Sequence, residues 1–163
     1  MSIRILVTGG TLDKVYNEIN GELTFGQSHI EEMLKRGRYK SDVQIEPILM
    51  KDSLEMDDED RKQIIKKCLD CNESKILITH GTDTMVDTGK VLMDSIKGKT
   101  VVLTGAMIPY SIKSSDALFN LGYAIAATQF LSAGIYIAMN GQIFPANNVC
   151  KDLDLGIFVR TNG

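Results

Sequence analysis

The sequence predicts an α/β protein with a doubly wound, mostly parallel sheet of the Rossmann or flavodoxin-like type, and with a β-hairpin inserted after the first strand. Short continuous apolar runs at residues 3–7, 75–78 and 101–103 are typical of strands buried on both faces. Segments whose apolar residues recur at helical spacing separate these runs. Strands that alternate with helices in this way form a parallel sheet covered by helices on both sides.

The composition is that of an ordinary globular domain. The 163 residues are expected to form one domain, residues 1–163, which is large enough to bury a core. A net charge of −3 gives no electrostatic basis for binding nucleic acid. No apolar stretch approaches the roughly 20 residues needed to span a bilayer, so no membrane partner is expected. An odd set of three cysteines and a strand that starts next to Met1 predict a reduced, cytoplasmic protein without a signal peptide.

A hairpin is predicted directly after the first strand, over residues 15–25. Asn20-Gly21 lies between two β-prone segments there. This dipeptide is a strong hairpin signal, because both central residues of a type I′ turn need positive φ. Two interpretations stay open: the hairpin folds over the neighbouring turn as a lid, or it is a surface ribbon with no part in function.

Caps and apolar stripes mark the helices. Ser28 and Glu31 have the spacing of a capping box at the start of a short helix that ends at Gly37. The second helix is expected to have one apolar face, formed by Ile64, Ile65, Cys68 and Leu69. The last helix is expected to run through the apolar positions Leu118, Leu121, Ile125 and Ala126. The predicted N-terminal residues of these two helices are Asp57 or Asp58 and Ser114 or Ser115.

Three further strands are predicted. Residues 43–49 form the second core strand, at an edge or a bulge, because Pro47 has no N–H for a central ladder. Residues 134–139 form a fifth strand, and residues 157–159 form a last one.

Two turns that carry threonine hydroxyls follow predicted strands. Residues 8–11 read Thr-Gly-Gly-Thr, and residues 79–84 read Thr-His-Gly-Thr-Asp-Thr. Ligands bind outside the carboxyl ends of the strands in an open parallel sheet, so both turns are expected to face one crevice. A threonine hydroxyl needs a base to become nucleophilic, and a lysine in a buried position can serve. Lys151, beyond the fifth strand, fits this role better than Lys90 or Lys99.

Three other motifs have simpler explanations. Gly9-Gly10 lacks both the full dinucleotide-binding pattern and the P-loop pattern, so no nucleotide cofactor is predicted. Cys68 and Cys71 have no second Cys/His pair at zinc spacing, which favours core packing over a metal or redox site. His80 is interpreted as a structural histidine beside the second hydroxyl turn.

Five short motifs occur in a fixed order over nearly the whole chain. They are Thr-Gly-Gly-Thr at 8–11, Asp52-Ser53 with Met56, His-Gly-Thr-Asp-Thr-Met at 80–85, Thr-Gly-Ala-Met at 104–107 with Pro109, and Ser115-Asp116 with Asn120-Leu121. Together they resemble the N-terminal domain of the bacterial-type L-asparaginase/glutaminase family. The motif at 80–85 is by itself very specific.

The resemblance implies hydrolysis of L-asparagine or a related small amide to the acid and ammonia, through a threonine nucleophile and without metal or cofactor. Thr11 is the expected attacking hydroxyl. The residues expected at the substrate are Asp52 and Ser53, which holds its α-carboxylate, and Ala106, which lines the amide pocket. The expected second catalytic set is Thr82, Asp83 and Lys151. A homo-oligomer, dimer or tetramer, is also implied, since the family assembles its sites between subunits.

The sequence departs from the family pattern in three ways. The family has two domains, and this chain is expected to lack the second one, which supplies groups to a neighbouring subunit's substrate. Leu54 replaces a glutamine and cannot accept a hydrogen bond from an ammonium group. Leu23 stands where the family has its lid tyrosine, and Tyr16, on the opposite arm of the hairpin, is predicted to replace it and to reach Thr11.

Two alternatives follow from these departures. One is a non-catalytic sensor or scaffold that binds an acidic amino acid. The other is a subunit that supplies ammonia within an amidotransferase.

Overall fold

A six-stranded sheet lies between two layers of helices in the computed structural model, which describes residues 2–161. The sheet strands are β1 (Ile3–Gly9), β4 (Val43–Lys51), β5 (Lys75–Thr79), β6 (Thr100–Thr104), β7 (Gly134–Met139) and β8 (Gln142–Pro145). Their spatial order is β4-β1-β5-β6-β7-β8, in which the first five strands are parallel and β8 is antiparallel. This is the flavodoxin-like order with one added edge strand. The predicted fold class is confirmed.

Two apolar cores occupy the two faces of the sheet. The helices are α1 (Ile30–Arg36), α2 (Asp58–Asp70), α3 (Met85–Ser95) and α4 (Ala117–Phe130). Helices α2 and α3 cover one face, where Ile64 and Leu92 are buried. Helices α1 and α4 cover the other face, where Met33 and Leu121 are buried. None of the helices within residues 2–161 is long and apolar enough to cross a membrane.

Two residues among the predicted apolar positions of the helices lie on the surface. Leu69 is more than half exposed near the end of α2, and Ala126 is exposed on α4. On α2 the buried stripe runs through Ile64 and Cys68, and Leu69 lies just beside it. On α4 almost every residue is apolar, so apolarity alone does not tell which side faces the sheet.

The edge position of the second core strand is confirmed. Within residues 2–161, strand β4 pairs with β1 alone, and Pro47 lies opposite Val7. The register shifts between Val7 and Gly9, so the strand pair is irregular at this point. A proline is tolerated here because one side of an edge strand makes no ladder hydrogen bonds.

The predicted capping box of α1 is wrong. The helix begins at Ile30, and His29 stands at its N-cap position without a side-chain hydrogen bond to the helix. The Ser28 hydroxyl accepts instead from the N–H of Ile30, at 3.3 Å. A serine two residues ahead of a free N–H can close this local turn, so the spacing to Glu31 is not used.

The other two helix starts differ in outcome. Asp57 caps α2 in a reciprocal box with Asp60, so the prediction of Asp57 or Asp58 is confirmed. The prediction of Ser114 or Ser115 for α4 is wrong, because Asp116 is the N-cap residue. The Ser115 hydroxyl accepts from the N–H of Ala117 at 3.0 Å and supports the turn just ahead of the helix.

The hairpin after β1 is confirmed, but its turn is of another type. Strands β2 (Lys14–Asn17) and β3 (Glu22–Phe25) pair in antiparallel register with Asn17 opposite Glu22. Four residues therefore form the turn, and the N–H of Gly21 donates to the carbonyl of Asn17 at 2.8 Å. Only Gly21 has positive φ, at 73°, so the two-residue type I′ turn is wrong.

A separate two-stranded ribbon follows the sheet. It consists of β9 (Cys150–Asp152) and β10 (Ile157–Val159), paired antiparallel. The prediction of a strand at residues 157–159 is confirmed, but this strand joins the ribbon and not the main sheet. Phe158 is fully buried in the core beside α2 and α3 and fixes the ribbon to the domain.

Candidate active site

Three turns touch at the carboxyl ends of β1, β4 and β5. A Cβ atom at Gly10 would lie 2.4 Å from the amide nitrogen of Gly81, and one at Gly81 would lie 2.6 Å from the Ser53 hydroxyl oxygen. These turns approach so closely only because neither glycine has a side chain. Since β1 and β5 are neighbours on either side of the point where strand order reverses, this is the position where such sheets bind ligands.

His80 braces the turn after β5 from inside the protein. It is fully buried, and its Nδ1 lies 2.8 Å from the Gly81 carbonyl oxygen while its Nε2 lies 2.8 Å from the Thr88 hydroxyl. Burial lowers the pKa of His80 to about 4, so the imidazole is neutral at neutral pH. The interpretation of His80 as a structural histidine agrees with these contacts.

Lys151, Thr82 and Asp83 converge on one point. The Lys151 amine lies 2.8 Å from the Thr82 hydroxyl oxygen and 2.6 Å from Oδ1 of Asp83. The lysine side chain is only 12% exposed, although it belongs to the separate ribbon. Lys151 stands directly opposite the buried Phe158 in that ribbon, so the two side chains share the face that is turned toward the domain. The Lys151 amine therefore points to the turn after β5. Three residues that are far apart in the sequence thus form one hydrogen-bonded group.

Thr11 lies at the same mouth, in a 3₁₀ turn at Thr11–Asp13 that follows β1. The preceding turn is fixed by the N–H of Gly10, which donates to the Lys51 carbonyl at 2.9 Å. Thr11 is partly exposed. No group within residues 2–161 hydrogen bonds with its hydroxyl, whereas the Thr82 hydroxyl is held by Lys151. The Thr11 oxygen is therefore open to a small molecule that enters the mouth.

The turn after β4 contains Asp52 and Ser53. Ser53 is buried, its hydroxyl accepts from the N–H of Thr84 at 3.3 Å, and its carbonyl accepts from the Thr84 hydroxyl at 2.8 Å. Asp52 accepts from the N–H of Leu54 and pairs with the Lys14 amine at 2.5 Å. The hydrogen bond from Lys14 lowers the pKa of Asp52. Leu54 itself is exposed.

Tyr16 lies further from the mouth than the sequence suggested. It is 62% exposed and stands directly opposite Leu23 in the hairpin, so the two side chains share one face. Its hydroxyl is 3.8 Å from the position of a Cβ at Gly21, at the turn end of the hairpin. Within the described chain it makes no hydrogen bond with Thr11, so the predicted contact is not made in this conformation.

Ala106 is buried in the core beside α1 and α4. Its neighbour Gly105 passes close to the turn after β5, because a Cβ at Gly105 would lie 2.3 Å from the His80 carbonyl oxygen. The chain after β6 therefore reaches the same mouth as the other three turns. A role of Ala106 in lining an amide pocket stays a prediction.

Sequence reasoning missed two charged residues beside Thr11. Asp13 is fully buried, and its Oδ1 accepts from the N–H of His29 at 2.9 Å. Its other oxygen has no hydrogen-bond partner among residues 2–161, and burial raises the pKa of Asp13. Lys14 is the partner of Asp52 described above. Nothing in the residue pattern distinguishes these two side chains from surface charges of a hairpin.

The cysteine pair has the packing role that the sequence favoured. Cys68 is fully buried and free, and burial raises its pKa to about 12. The Cys71 thiol donates to the carbonyls of Cys68 and Glu73. Within the described residues no group of three or more His, Cys, Asp and Glu side chains is placed to hold a metal ion.

Comparison with known proteins gives a family match over most of the chain. The family model described as Asparaginase, N-terminal, matches residues 2–153. A probable periplasmic L-asparaginase of Haemophilus influenzae is 32% identical over 160 residues, which is 92% of this chain and 46% of that protein. The chain spans about half the length of the curated relatives it matches.

Solved structures give the same result. The thermostable L-asparaginase of Thermococcus kodakarensis superposes with a TM-score of 0.85 at 32% identity, over 100% of this chain and 52% of that one. A probable cytoplasmic L-asparaginase of Campylobacter jejuni superposes with a TM-score of 0.81 at 34% identity, over 98% of this chain and 53% of that one. The likeness to the Thermococcus kodakarensis enzyme covers the whole chain and so includes the strands and turns that form the mouth.

Proposed function

Because the chain belongs to the asparaginase family, in which it matches the N-terminal domain, we propose that it hydrolyses L-asparagine or a related small amide to the acid and ammonia. The observation that carries this proposal is the contact of the Lys151 amine with the Thr82 hydroxyl at 2.8 Å and with Asp83 at 2.6 Å. A lysine amine this close to a threonine hydroxyl can exchange a proton with it, and the carboxylate holds the amine in place.

Thr11 is the proposed nucleophile. Its hydroxyl is partly exposed at the mouth and has no competing hydrogen bond within the described chain. The oxygen attacks the amide carbon while its proton passes to the proton-transfer group described next. The C–N bond breaks, the leaving nitrogen takes up that proton and departs as ammonia, and an ester remains on Thr11. Water then attacks the ester carbon, which releases the acid and restores the hydroxyl.

Thr82, Asp83 and Lys151 are the proposed proton-transfer group. Thr82 is almost fully buried, whereas Asp83 reaches solvent and has its Oδ2 available for a substrate. Main-chain N–H groups of the glycine-rich turns are proposed to stabilise the negative oxygen that develops during attack. Such preorganised donors are usually the largest single contribution to catalysis of acyl transfer.

Two of the remaining predicted residues are assigned to substrate contacts. Ser53 is proposed at the carboxylate end of the substrate and Ala106 beside its amide, whereas Asp52 caps the turn that contains Ser53. Tyr16 is proposed to approach Thr11 only when the hairpin folds toward the mouth, because in the present conformation its hydroxyl lies at the far end of the hairpin. The reaction proposed here uses neither metal nor cofactor.

Ammonia release from L-asparagine, L-glutamine and simple ω-amides tests the proposal. We expect Thr11→Ala and Thr82→Ala each to lower kcat/KM by about 10³-fold or more, since groups that act as a unit are lost together. Thr161→Ala, at an exposed threonine far along the chain, serves as the matched control and should keep full activity. A wild-type protein that releases no more ammonia than Thr11→Ala on the whole panel would remove the amidase proposal.

The sensor alternative gives a different result in a second measurement. A protein that only binds an acidic amino acid would show a rise in Tm with L-aspartate and no turnover of any amide. Thermal unfolding with and without L-aspartate therefore accompanies the ammonia assay. Turnover that depends on Thr11 decides for the enzyme.

Two further properties are proposed. The first is a homo-oligomer: residues 117–150 contain no charged side chain, and Phe130 on α4 is 87% exposed. Large exposed apolar patches on a folded protein mark sites of interaction with other molecules. The second is a cytoplasmic location, supported by the free cysteines. Relatives of this chain are named both periplasmic and cytoplasmic.

A further inference from the structure

An ion pair joins two of the three turns at the mouth. The Lys14 amine lies 2.5 Å from Oδ2 of Asp52, and the two side chains are 18% and 30% exposed. The other Asp52 oxygen accepts from the N–H of Leu54 at 3.1 Å. Each oxygen of the carboxylate therefore already accepts a hydrogen bond from the protein itself.

Lys14 is held much more firmly than a lysine on the surface of a hairpin. Its N–H donates to the Thr11 carbonyl, and its own carbonyl accepts from the Ser111 hydroxyl at 2.9 Å. Its amine lies 5.5 Å from the centre of the Phe25 ring, within the range of a cation–π contact. Exposed lysine–carboxylate pairs contribute little because the side chains must be ordered first. Here the Lys14 backbone is already held by hydrogen bonds at its N–H and at its carbonyl.

The pair connects the two turns through very short stretches of chain. Lys14 follows the 3₁₀ turn that begins at Thr11, and its N–H is bonded to that residue. Asp52 directly precedes Ser53 and caps the turn that contains it. A movement of either side chain therefore displaces the turn attached to it.

We propose that Lys14 and Asp52 are positioning residues that hold the Thr11 turn and the Ser53 turn at a fixed separation. The proposal rests on the proposed function, in which Thr11 attacks a substrate that is anchored beside Ser53. A nucleophile must be held within about 0.5 Å of its productive position, and a displacement of about 1 Å can lower the rate about 100-fold. Asp52 thus acts through Lys14 and not by touching the substrate.

Steady-state kinetics of four variants tests this assignment. The variants are Lys14→Met, Asp52→Asn, Lys14→Arg and the exchange Lys14→Asp with Asp52→Lys. We expect each of the first two to lower kcat about tenfold or more with little change in KM, because the turns lose their alignment but keep their groups. Lys14→Arg keeps the charge and should retain most of the activity. The exchange restores the ion pair and should recover at least part of kcat over the worse single variant.

The control is another lysine–carboxylate pair. Lys62 and Glu59 lie 2.6 Å apart on the exposed side of α2, and Lys62→Met should leave both kinetic constants unchanged. If Asp52→Asn raises KM at constant kcat and the exchange recovers nothing, Asp52 contacts the substrate and the positioning role is overturned. If Lys14→Met has wild-type kinetics, the ion pair has no role in the reaction.

Hydrogen–deuterium exchange tests the coupling of the two turns without any substrate. In Lys14→Met, the amides of residues 53–56 should exchange faster although the changed residue lies in the other turn. Unchanged protection of those amides would overturn the proposal even in an active enzyme. A wild-type protein without amidase activity would remove the proposed function, and the exchange measurement would still decide whether the pair couples the turns.

Discussion

A single neutral imidazole holds the turn that carries Thr82 and Asp83. Arg61 donates to the Thr88 hydroxyl at 3.3 Å, and that hydroxyl lies 2.8 Å from Nε2 of His80. A carbonyl can only accept, so Nδ1 carries the proton toward Gly81 and Nε2 accepts from Thr88. Every donor in this series then has one acceptor. A second proton on the ring would leave two donors facing each other.

This arrangement predicts that the protein loses stability in mild acid. The pKa of His80 falls from 6.5 in the unfolded chain to about 4 in the folded protein, because burial disfavours the charged ring. Between these values the unfolded chain binds more protons, so the free energy of unfolding decreases as pH falls. The contribution of neutral His80 to the free energy of unfolding is complete above pH 6.5. It is lost progressively toward pH 4, by about 3 kcal/mol in all. Urea unfolding from pH 4 to 8 measures it.

The variant His80→Asn isolates this contribution. An asparagine can donate to the Gly81 carbonyl but does not titrate. The free energy of unfolding of the variant should therefore change less with pH than that of the wild type. Equal slopes for the two proteins below pH 6.5 would contradict the assignment to His80.

Residues of the mouth differ in how far the sequence reveals them. Thr11, Thr82 and Lys151 are found because they follow predicted strands and carry the family motifs. Lys14 and Asp13 are not found, because their partners are distant in the sequence. Lys14 pairs with Asp52, 38 residues away, and Asp13 accepts from His29, 16 residues away. A charged side chain of a hairpin has the same local pattern whether it pairs across the fold or points into water.

At the scale of elements, the Asn-Gly pair from which the hairpin is predicted does not form a two-residue turn, whereas a second Asn-Gly pair does. Asn20-Gly21 ends a turn of four residues in which only the glycine has positive φ. Asn140-Gly141 forms the two-residue turn between β7 and β8, with φ values of 54° and 70°. Strand β8 is not predicted from the sequence, because it is four residues long and ends in a proline. Dipeptide preference fixes neither loop length nor the strand that follows; the pairing of the flanking strands decides both.

Two glycine substitutions should therefore act in opposite directions. Gly141→Ala forces an alanine to positive φ and brings its Cβ within 3.3 Å of the Phe119 ring, so we expect a loss of about 1–2 kcal/mol in the free energy of unfolding. Gly122→Ala lies inside α4 with open space around it and should add roughly 0.5–1 kcal/mol. Chemical unfolding at low protein concentration measures both. A destabilised Gly122→Ala would show that this side of α4 is already in contact with something.

At the scale of the whole molecule, one long part of the chain carries no charged side chain. Residues 117–150 include α4, β7 and β8 and carry no acidic or basic side chain. The inner side of α4 is buried against the sheet, while Phe119 and Phe130 are exposed on its outer side. The Phe119 ring stacks on the ring of Tyr123, which is partly buried. The alternation of strands and helices in the sequence predicts the sheet between two helix layers correctly, since each strand–helix unit is local in sequence. Which face of a helix remains exposed to solvent depends on tertiary packing, which the alternation does not reveal.

We expect this outer side of α4 to mediate the proposed self-association. Light scattering after gel filtration should give the wild type a mass of at least twice 18.0 kDa, and Phe130→Lys should shift it toward 18.0 kDa. Leu69→Lys places the same charge on an exposed leucine of α2, in the opposite helix layer, and should leave the mass unchanged. A wild type of 18.0 kDa at high concentration, or equal effects of both variants, would contradict this surface.

The ribbon that carries Lys151 is attached to the domain mainly by the ring of Phe158 and by the hydrogen bond from its N–H to the Asn140 side chain at 2.8 Å. A smaller residue at position 158 would let the amine drift while every threonine motif stayed intact. The placement of the proposed proton-transfer amine therefore depends on a phenyl ring that is buried in the core, so the threonine motifs alone do not identify a complete site.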